Sequence, residues 1–147
     1  MSTEGNKALI RRWFEECYNQ GNVAVADELI APNYVNHSAP HGQASGLEGE
    51  KRYITLIRSA FPDFLATIED QIAEGDKVVT RATAGGTYRG GLEDIPSTAT
   101  VGKQVAVPEI LMHRVAGGKV VEGWIVFDEL GLWRQLGVVP SMAEGEE

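Results

Sequence analysis

The stretch that decides the fold runs from Gln104 to Leu136 and reads QVAVPEILMHRVAGGKVVEGWIVFDELGLWRQL. Two segments rich in β-branched residues flank the tetrapeptide Ala116-Gly117-Gly118-Lys119. Paired glycines supply the positive φ angles that a tight hairpin turn needs. The pattern therefore predicts two long antiparallel strands joined at this turn. A short apolar helix over Glu129 to Leu136 is predicted to follow them.

The two predicted strands bring ionisable side chains onto an apolar surface. Successive side chains of a strand point to opposite faces. One face of the first strand carries Val105, Val107, Glu109, Leu111, His113 and Val115, and one face of the second carries Val120, Glu122, Trp124, Val126 and Asp128. If these faces coincide, Glu109, His113, Trp124 and Asp128 line one surface. An ionisable group there is either a paired structural group or a working acid or base.

Composition limits the class of protein. The 147 residues suit one domain over 1–147, and 43% of them are hydrophobic. The net charge of −8 argues against nucleic acid as a partner, because phosphate binding needs clustered lysine and arginine. No apolar run approaches the ~20 residues of a membrane span, so no membrane partner is expected. The single Cys17 and the lack of a signal pattern suit the cytoplasm. Residues 139–147 are predicted to form a flexible acidic tail.

The order of the remaining elements predicts the fold class. Amphipathic or apolar helical patterns cover Lys7–Gln20, Val23–Ile30 and Glu48–Phe61, with an extended piece at Tyr34–His37. Strands are predicted over Phe64–Ala73 and Lys77–Tyr88 before the hairpin, with a bulge or sharp bend at Gly85-Gly86. Helices first and strands afterwards indicate an α+β fold, with a curved antiparallel sheet packed on N-terminal helices. A pocket would form in the concavity between them.

The usual catalytic motifs are missing from the sequence. There is no phosphate-binding loop, no Gly-x-Ser-x-Gly elbow and no zinc-type set of cysteines and histidines. His37 and His41 are four residues apart, but Pro40 and Gly42 between and beside them argue against the helix that a metal pair would need. We therefore expect no metal and no cofactor, and acid–base chemistry in an apolar pocket is what remains.

Each candidate residue also has a structural interpretation. Asp128 ends an apolar run and would cap the helix that follows it, if it is not a base. His113 would be a hydrogen-bonded core histidine. Arg81 is a surface cation, or it orients an anionic substrate or pairs with Asp128. Glu109 faces either the pocket or a subunit interface. The large aromatic residues are core residues, some of which also line the pocket; they are Trp13, Phe14, Phe61, Phe64 and Trp124.

Several segments together resemble a known family. They are Tyr34-Val35-Asn36-His37, Phe61-Pro62-Asp63-Phe64, EDQIAEGDKVV over 69–79, Gly86-Thr87-Tyr88-Arg89-Gly90 and GKVVEGWIVFDELGLWRQLG over 118–137. In this order and spacing the chain resembles the SnoaL-like polyketide cyclases, or ester cyclases, over about Lys7 to Gly137. These proteins belong to the group that shares the nuclear transport factor 2 (NTF2) fold. The chain departs from the family at Tyr88, where a histidine is common, and in the connection 89–100.

The resemblance implies an α+β cone with a deep apolar pocket and a ring closure by intramolecular aldol condensation without metal or cofactor. The family's acid/base aspartate falls on Asp128, and its pocket histidine falls on His113. Both are predicted to be catalytic. The residues predicted to bind substrate are His37, Tyr34, Phe61, Phe64, Arg81, Trp124 and Trp13.

Other functions stay open at this point. A related pocket enzyme would be an epoxide hydrolase, using Arg81 and Asp128, or a ketosteroid-isomerase-like proton shuttle. A non-catalytic ligand-binding domain is the third possibility, and in it Asp128 would be a cap alone. The expected partner is a small hydrophobic molecule. Apolar residues beyond the need of a pocket, such as Ile110, Met112 and Ile125, favour a homodimer or homotetramer formed through the sheet.

Overall fold

The computed structural model describes residues 2–39 and 43–138. His41 and the predicted acidic tail over 139–147 lie outside the described residues. None of the helices in the described ranges combines the length and the apolar composition of a membrane span.

The N-terminal helical region begins as an α-helix and continues as a π-helix. Helix α1 spans Thr3–Arg12, and the Ser2 side chain caps it by accepting a hydrogen bond from the Gly5 backbone N–H at 3.0 Å. A π-helix follows at Trp13–Asn19, and the backbone N–H of Gln20 bonds the carbonyl of Glu15 at 3.1 Å. The single helix predicted over Lys7–Gln20 is therefore two helices of different pitch, because i→i+5 bonds replace the α pattern.

The other helices are shorter or lie where the sequence predicts them. A 3₁₀ turn at Val23–Val25 leads into α2 at Ala26–Leu29, helix α3 spans Gly46–Ala60, and α4 spans Glu129–Gln135. The hydrogen bond from Phe61 N–H to the Ile57 carbonyl closes α3 immediately before Pro62. The helices predicted at Glu48–Phe61 and Glu129–Leu136 are thus found at nearly these bounds.

One five-stranded sheet packs on the helices. Its strands are β1 at Ile30–Asn36, β2 at Leu65–Glu74, β3 at Lys77–Thr87, β4 at Gln104–Ala116 and β5 at Lys119–Phe127, in the spatial order β1-β5-β4-β3-β2. The antiparallel β2 to β5 confirm the predicted strands. Strand β1 is one strand more than the four predicted, and it runs parallel to β5. The α+β fold class, with a curved sheet on N-terminal helices, is confirmed.

The β4–β5 hairpin turns as predicted, but a bulge interrupts its register. Gly117 and Gly118 adopt φ angles of 59° and 77° in the turn. Arg114 pairs with Glu122 whereas Val115 pairs with Val120, so Val121 has no partner on β4. One extra residue reverses the faces of all later residues of a strand relative to its neighbour. The bulge therefore determines which side of the sheet each β5 side chain occupies.

The bulge predicted at Gly85-Gly86 is not found. The register between β3 and β4 is unbroken through both residues. A Cβ atom at Gly85 would lie 2.2 Å from the Val105 carbonyl oxygen, so this glycine allows a close approach of two backbones. A glycine inside a strand pattern can mark a bulge or a close approach of two backbones, and the local sequence does not tell these two apart.

The face of the sheet that packs on the helices is called the inner face here, and the opposite face the outer face. Two hydrophobic clusters fill the inner side. The larger cluster surrounds Ile10, Trp13, Tyr34 and Leu111, and the smaller one joins Phe61, Tyr88, Ile95, Val105 and Leu136. Glu109 is in neither cluster. The inner face is therefore apolar at both ends and carries the carboxyl group of Glu109 on β4 between them.

Arg58 of α3 connects the elements around the larger cluster by hydrogen bonds to backbone carbonyls. Its guanidinium donates to the carbonyls of Tyr18, Asn19 and Phe64 at 2.9, 3.1 and 3.1 Å, and to that of Pro62 at 2.9 Å. One side chain thus satisfies carbonyls at the end of the π-helix and before β2. These are positions that no helix or strand ladder satisfies.

Candidate functional site

Glu109 occupies the inner face of β4. Its register partners are Ala82 on β3 and Phe127 on β5, and the flanking inward residues Val107 and Leu111 are buried. Burial raises the pKa of the Glu109 carboxyl to about 7. A carboxyl with such a pKa takes up and releases a proton near neutral pH, as a general base or acid must.

The part of the inner face around Glu109 is open to solvent. Phe127 faces inward beside Glu109 and is nevertheless 39% exposed, and Glu109 is itself half-buried. Inward-facing residues of a filled core would be closed off on all sides. The concave side of the sheet is therefore reachable by a small molecule at this level.

Tyr53 of α3 lies near Glu109. Burial raises the pKa of its phenol, and the negative charges of Glu50, Glu109 and Asp94 raise it further. The phenol is therefore protonated at neutral pH and can donate a hydrogen bond. Asp94 belongs to the connection between β3 and β4, so this loop comes near Tyr53.

A second polar group, formed by the side chains of Trp13, Tyr34 and His113, lies deeper in the larger cluster. Trp13, Tyr34 and His113 are 3%, 2% and 1% exposed. The His113 ring centroid lies 4.8 Å from that of Trp13, and the Trp13 and Tyr34 rings meet edge to face at 5.6 Å. Within the described residues, Trp13 Nε1, Tyr34 Oη and both His113 ring nitrogens make no hydrogen bond. Buried polar atoms without partners are costly in a core, and they are common at binding sites.

Gly123 of β5 makes room for this polar group. A Cβ atom there would lie 2.6 Å from Tyr34 Oη and 3.1 Å from His113 Nε2. Both polar atoms thus converge on the same bare stretch of backbone. Burial lowers the pKa of His113 to about 3, so its imidazole is neutral, with one ring nitrogen as a donor and the other as an acceptor. His113 is thus a buried core histidine, as one interpretation of the sequence expected, but the hydrogen bond expected for it is not found in the described part of the chain.

Glu50 is a second buried carboxyl. It is 3% exposed on α3 and accepts a hydrogen bond from Tyr18 Oη at 2.6 Å. Burial raises its pKa, while the hydrogen bonds from Tyr18 and Gln43 oppose that rise. Glu50 therefore joins the π-helix to α3 through a buried hydrogen bond.

Asp128 lies at the N-cap of α4. Its Oδ1 accepts a hydrogen bond from the Gly131 backbone N–H at 2.8 Å, and the residue is exposed. The capping role weighed for this residue is thus confirmed, and the apolar surroundings expected for its carboxylate are not found. Its backbone N–H bonds the Pro108 carbonyl at 3.2 Å, which places Asp128 next to the level of Glu109. The catalytic role of Asp128 stays a prediction.

The expectation that Trp124 and Asp128 share the face of His113 and Glu109 is wrong for Trp124. Trp124 pairs with Met112 on the outer face, because the bulge at Val121 reverses the faces of β5. His37 stacks on Trp124 with centroids 4.6 Å apart, and its Nε2 contacts Glu122 Oε2 at 2.8 Å. These two predicted substrate contacts therefore lie outside the concave side.

Arg81 also projects from the outer face. It is exposed and pairs in register with Ile110 on β4 and Asp70 on β2. Among the ion pairs of the described residues none joins Arg81 to Asp128. The arrangement needed for epoxide opening by Arg81 and Asp128 is therefore not found.

The remaining predicted contacts lie on the inner side. Phe61 belongs to the smaller cluster, with its ring 5.3 Å from that of Tyr88, and Phe64 packs against both clusters. A concavity of about 500 Å³ is lined by residues of the connection from Tyr88 to Val101, and one of about 130 Å³ is lined by Tyr34 and its neighbours; Glu109 and His113 line neither of them. Within residues 2–39 and 43–138, no group of three or more acidic, histidine or cysteine side chains is arranged for a metal ion.

The tertiary structure adds Glu109, Tyr53 and Glu50 to the candidate site. Glu109 was identifiable as an inward residue from the alternation of its strand, but its role was left between a pocket and an interface. Tyr53 and Glu50 lie three residues apart on α3, where such residues share a face. Nothing local distinguishes them from other residues of an amphipathic helix.

Comparison with known proteins shows the family and the fold of this chain. Residues 8–136 match the model of the SnoaL-like polyketide cyclase family. No curated protein matches the sequence. TsrD from Streptomyces laurentii is 28% identical, with a TM-score of 0.84 over 95% of this chain and 99% of that chain. IdmH, a candidate polyketide cyclase from Streptomyces antibioticus, is 30% identical, with a TM-score of 0.74 over 90% and 99%. A candidate polyketide cyclase from Bacillus cereus is 25% identical, with a TM-score of 0.78 over 95% and 87%.

Proposed function

The chain belongs to the SnoaL-like polyketide cyclase family, and from this we propose that it closes a ring in a small apolar molecule by intramolecular aldol condensation. The observation that supports the proposal best is Glu109. Its carboxyl is half-buried on the concave side, beside solvent-exposed Phe127, with a pKa raised to about 7. A base of this strength matches the needs of carbon-acid chemistry near neutral pH.

The proposed reaction begins with a proton transfer to Glu109. Its carboxylate removes a proton from a carbon between two carbonyl groups, and the electron pair of the C–H bond forms an enolate. The enolate carbon attacks a second carbonyl of the same molecule, forming a C–C bond and an alkoxide. The protonated Glu109 then returns its proton to the alkoxide. Conjugation in the substrate stabilises the enolate, so the reaction needs no metal or cofactor.

The polar group around His113 has a different proposed role. His113 lies four positions after Glu109 along β4, which is about 13 Å at ~3.3 Å per residue. The two side chains therefore contact different parts of a bound molecule. Neutral His113, Tyr34 and Trp13 would anchor an oxygen atom at the deep end, while Glu109 acts nearer the opening. Binding both ends of the substrate would hold its reacting carbons close to each other.

Asp128 is the alternative base, as the family resemblance implies. It adjoins the level of Glu109 but is exposed and engaged at the helix N-cap. Glu109→Gln and Asp128→Asn separate the two assignments. Both changes keep the shape of the side chain, and asparagine caps helices nearly as well as aspartate.

The test measures hydrogen–deuterium exchange at the acidic carbon of ethyl benzoylacetate in D₂O by NMR. General-base catalysis is typically worth ~10² to 10⁴-fold, so Glu109→Gln should lower the enzyme-dependent rate by about 10²-fold or more. Asp128→Asn should change it by less than about threefold. The reverse result would assign the base to Asp128. A wild-type chain that binds the probe but adds nothing to the uncatalysed exchange rate would favour a non-catalytic binding domain.

A further inference from the structure

Tyr53 of α3 and Glu109 of β4 are two half-buried polar side chains without a hydrogen-bond partner. Within residues 2–39 and 43–138, neither the Tyr53 hydroxyl nor the Glu109 carboxyl makes a hydrogen bond. Polar groups that converge on an otherwise apolar concavity are typical of binding sites, where they bond the guest molecule. Both groups are therefore free to act on a bound substrate.

Tyr53 belongs to the side of α3 that packs on the sheet. Glu50 and Ile54 on this side are 3% and 0% exposed, whereas Arg52 and Thr55 on the other side are exposed. Residues three positions apart share a helix face, so Tyr53 projects on the same side as Glu50. Unlike Glu50 it is only half-buried. Its side chain therefore lies where the inner side is not completely filled.

Helix α3 also takes part in both hydrophobic clusters, and Glu109 lies between these clusters on β4. Ile54 belongs to the larger cluster with Leu111, and Phe61 at the end of the helix belongs to the smaller cluster with Val105. Leu111 and Val105 are on either side of Glu109 along the inner face of β4. The helix therefore passes the part of the inner face that is open around Glu109.

The charge of Glu109 reaches Tyr53, since it contributes to raising the pKa of that phenol. We propose that Tyr53 is a second catalytic residue, which donates a hydrogen bond to the substrate's carbonyl oxygen while the neighbouring carbon loses its proton to Glu109. This inference rests on the function proposed above. His113 lies about 13 Å farther along β4, at ~3.3 Å per residue, and so contacts another part of the substrate.

The two residues divide the work according to where charge appears. When the Glu109 carboxylate takes the proton, the electron pair of the C–H bond forms the enolate, and negative charge develops on the carbonyl oxygen. Tyr53 donates a hydrogen bond to this oxygen and keeps its own proton, because burial and the nearby carboxylates raise the pKa of the phenol. A fixed donor placed at developing charge stabilises the transition state more than the ground state.

A neutral donor is needed here because no cation balances the enolate. A lysine or arginine close to Glu109 would lower the pKa of its carboxyl, but burial alone acts on that pKa and raises it. Glu50 does not compete for the Tyr53 hydroxyl, since it already accepts a hydrogen bond from Tyr18 at 2.6 Å.

Hydrogen–deuterium exchange into ethyl benzoylacetate gives the first test. Loss of one such donor lowers kcat by about 10² to 10³-fold, and we expect this of Tyr53→Phe, with KM changed by less than about threefold. The matched control Tyr88→Phe removes a hydroxyl from the smaller cluster and should leave kcat unchanged. The Tyr53 hydroxyl has no partner in the described ranges, so the unfolding midpoint should also be unchanged. A lower midpoint or a raised KM with an unchanged kcat would mean a structural role.

Binding of para-nitrophenol tests the donor without turnover, because its phenolate resembles an enolate and has its own visible absorbance. The probe is added to Glu109→Gln, whose uncharged amide resembles the protonated base. This variant should bind the phenolate at least about tenfold more tightly than Glu109→Gln combined with Tyr53→Phe, since a hydrogen bond to a charged group contributes this much. Equal affinities, or no binding of the phenolate, would overturn the role of Tyr53.

The failure of this inference differs from the failure of the proposed function. If Glu109→Gln slows exchange and Tyr53→Phe does not, the reaction stands and Tyr53 is not a catalytic residue. A wild-type chain without exchange activity overturns the reaction itself, and equal phenolate affinities of the two variants then overturn the donor as well.

Discussion

Tyr18 on the π-helix donates its phenolic hydrogen to Glu50 on α3 across 2.6 Å, in a site where Glu50 is 3% exposed. The pair joins two helices that form one wall of the concave side. Removing the hydroxyl with Tyr18→Phe leaves a buried carboxyl with one partner fewer. We expect the free energy of unfolding to fall by about 1–3 kcal/mol, measured by urea denaturation.

A double-mutant cycle with Glu50→Gln isolates the contact itself. Because the two side chains touch, the effects of Tyr18→Phe and Glu50→Gln should not add. Additive effects would mean that the hydrogen bond contributes nothing to stability.

Glu109 makes stability depend on pH with a defined sign. Its folded pKa of about 7 exceeds the ordinary value of 4.5, so the folded state binds the proton more tightly than the unfolded state in this window. The free energy of unfolding therefore falls as pH rises from 4.5 to 7. Glu109→Gln removes the ionisation, and its melting temperature should exceed that of the wild type above pH 7 but not below pH 4.5. The exposed Glu74→Gln should follow the wild type across the whole range.

His113 should stay neutral in acid. Burial lowers the pKa of its imidazole to about 3, against an ordinary value of 6.5. The folded state then resists protonation, and His113 lowers stability as pH falls below 6.5. In ¹⁵N NMR spectra the His113 ring nitrogens should keep their neutral shifts at pH 5. A transition near pH 6.5 in the folded protein would contradict the buried position.

Gly123 gives the polar group around His113 its space. A methyl group there would lie 2.6 Å from Tyr34 Oη and 2.7 Å from His113 Cδ2. We expect Gly123→Ala to lower the free energy of unfolding by about 1–3 kcal/mol through overpacking. Adding Tyr34→Phe removes the nearest atom, so the double variant should recover part of that loss. If it recovers none, the contact with Tyr34 is not the source of the strain.

Arg58 tests how much one guanidinium stabilises the junction of the π-helix, α3 and β2. Arg58→Lys keeps the charge but cannot reach four carbonyls with one ammonium group. We expect a loss of at least about 2 kcal/mol in the free energy of unfolding, since hydrogen bonds to charged groups are each worth ~1.5–3 kcal/mol. Arg52→Lys on the exposed side of α3 is the matched control and should be neutral.

Local sequence patterns were sufficient for most of the fold. The period of the apolar residues located α3 and the strands β2 to β5, and the glycines located the hairpin turn at Gly117-Gly118. These features depend on interactions among residues close in the chain. Strand β1 was predicted only as an extended piece, because its pairing with β5 joins segments about 90 residues apart.

Some features of the candidate site could likewise be predicted from local patterns, and others could not. The alternation along β4 alone placed Glu109 and His113 on one face, and the register confirms it. The helix cap at Asp128 was also readable from its position after an apolar run and before Glu129. The roles of Trp124, His37 and Arg81 were not readable, since each depends on which side of the sheet faces the helices.

By itself, the sequence determined the family, the α+β class and the residues that share a strand face, since these follow from the order and period of side chains along the chain. Only the tertiary structure decided that Val121 is bulged, because a bulge is defined by pairing with a second strand. That one residue sends Trp124 outward and Phe127 inward. Glu109 of β4 faces inward beside Phe127, and burial raises the pKa of its carboxyl to about 7. Burial, which moves that pKa, is a property of the surrounding elements and is not encoded by any local pattern.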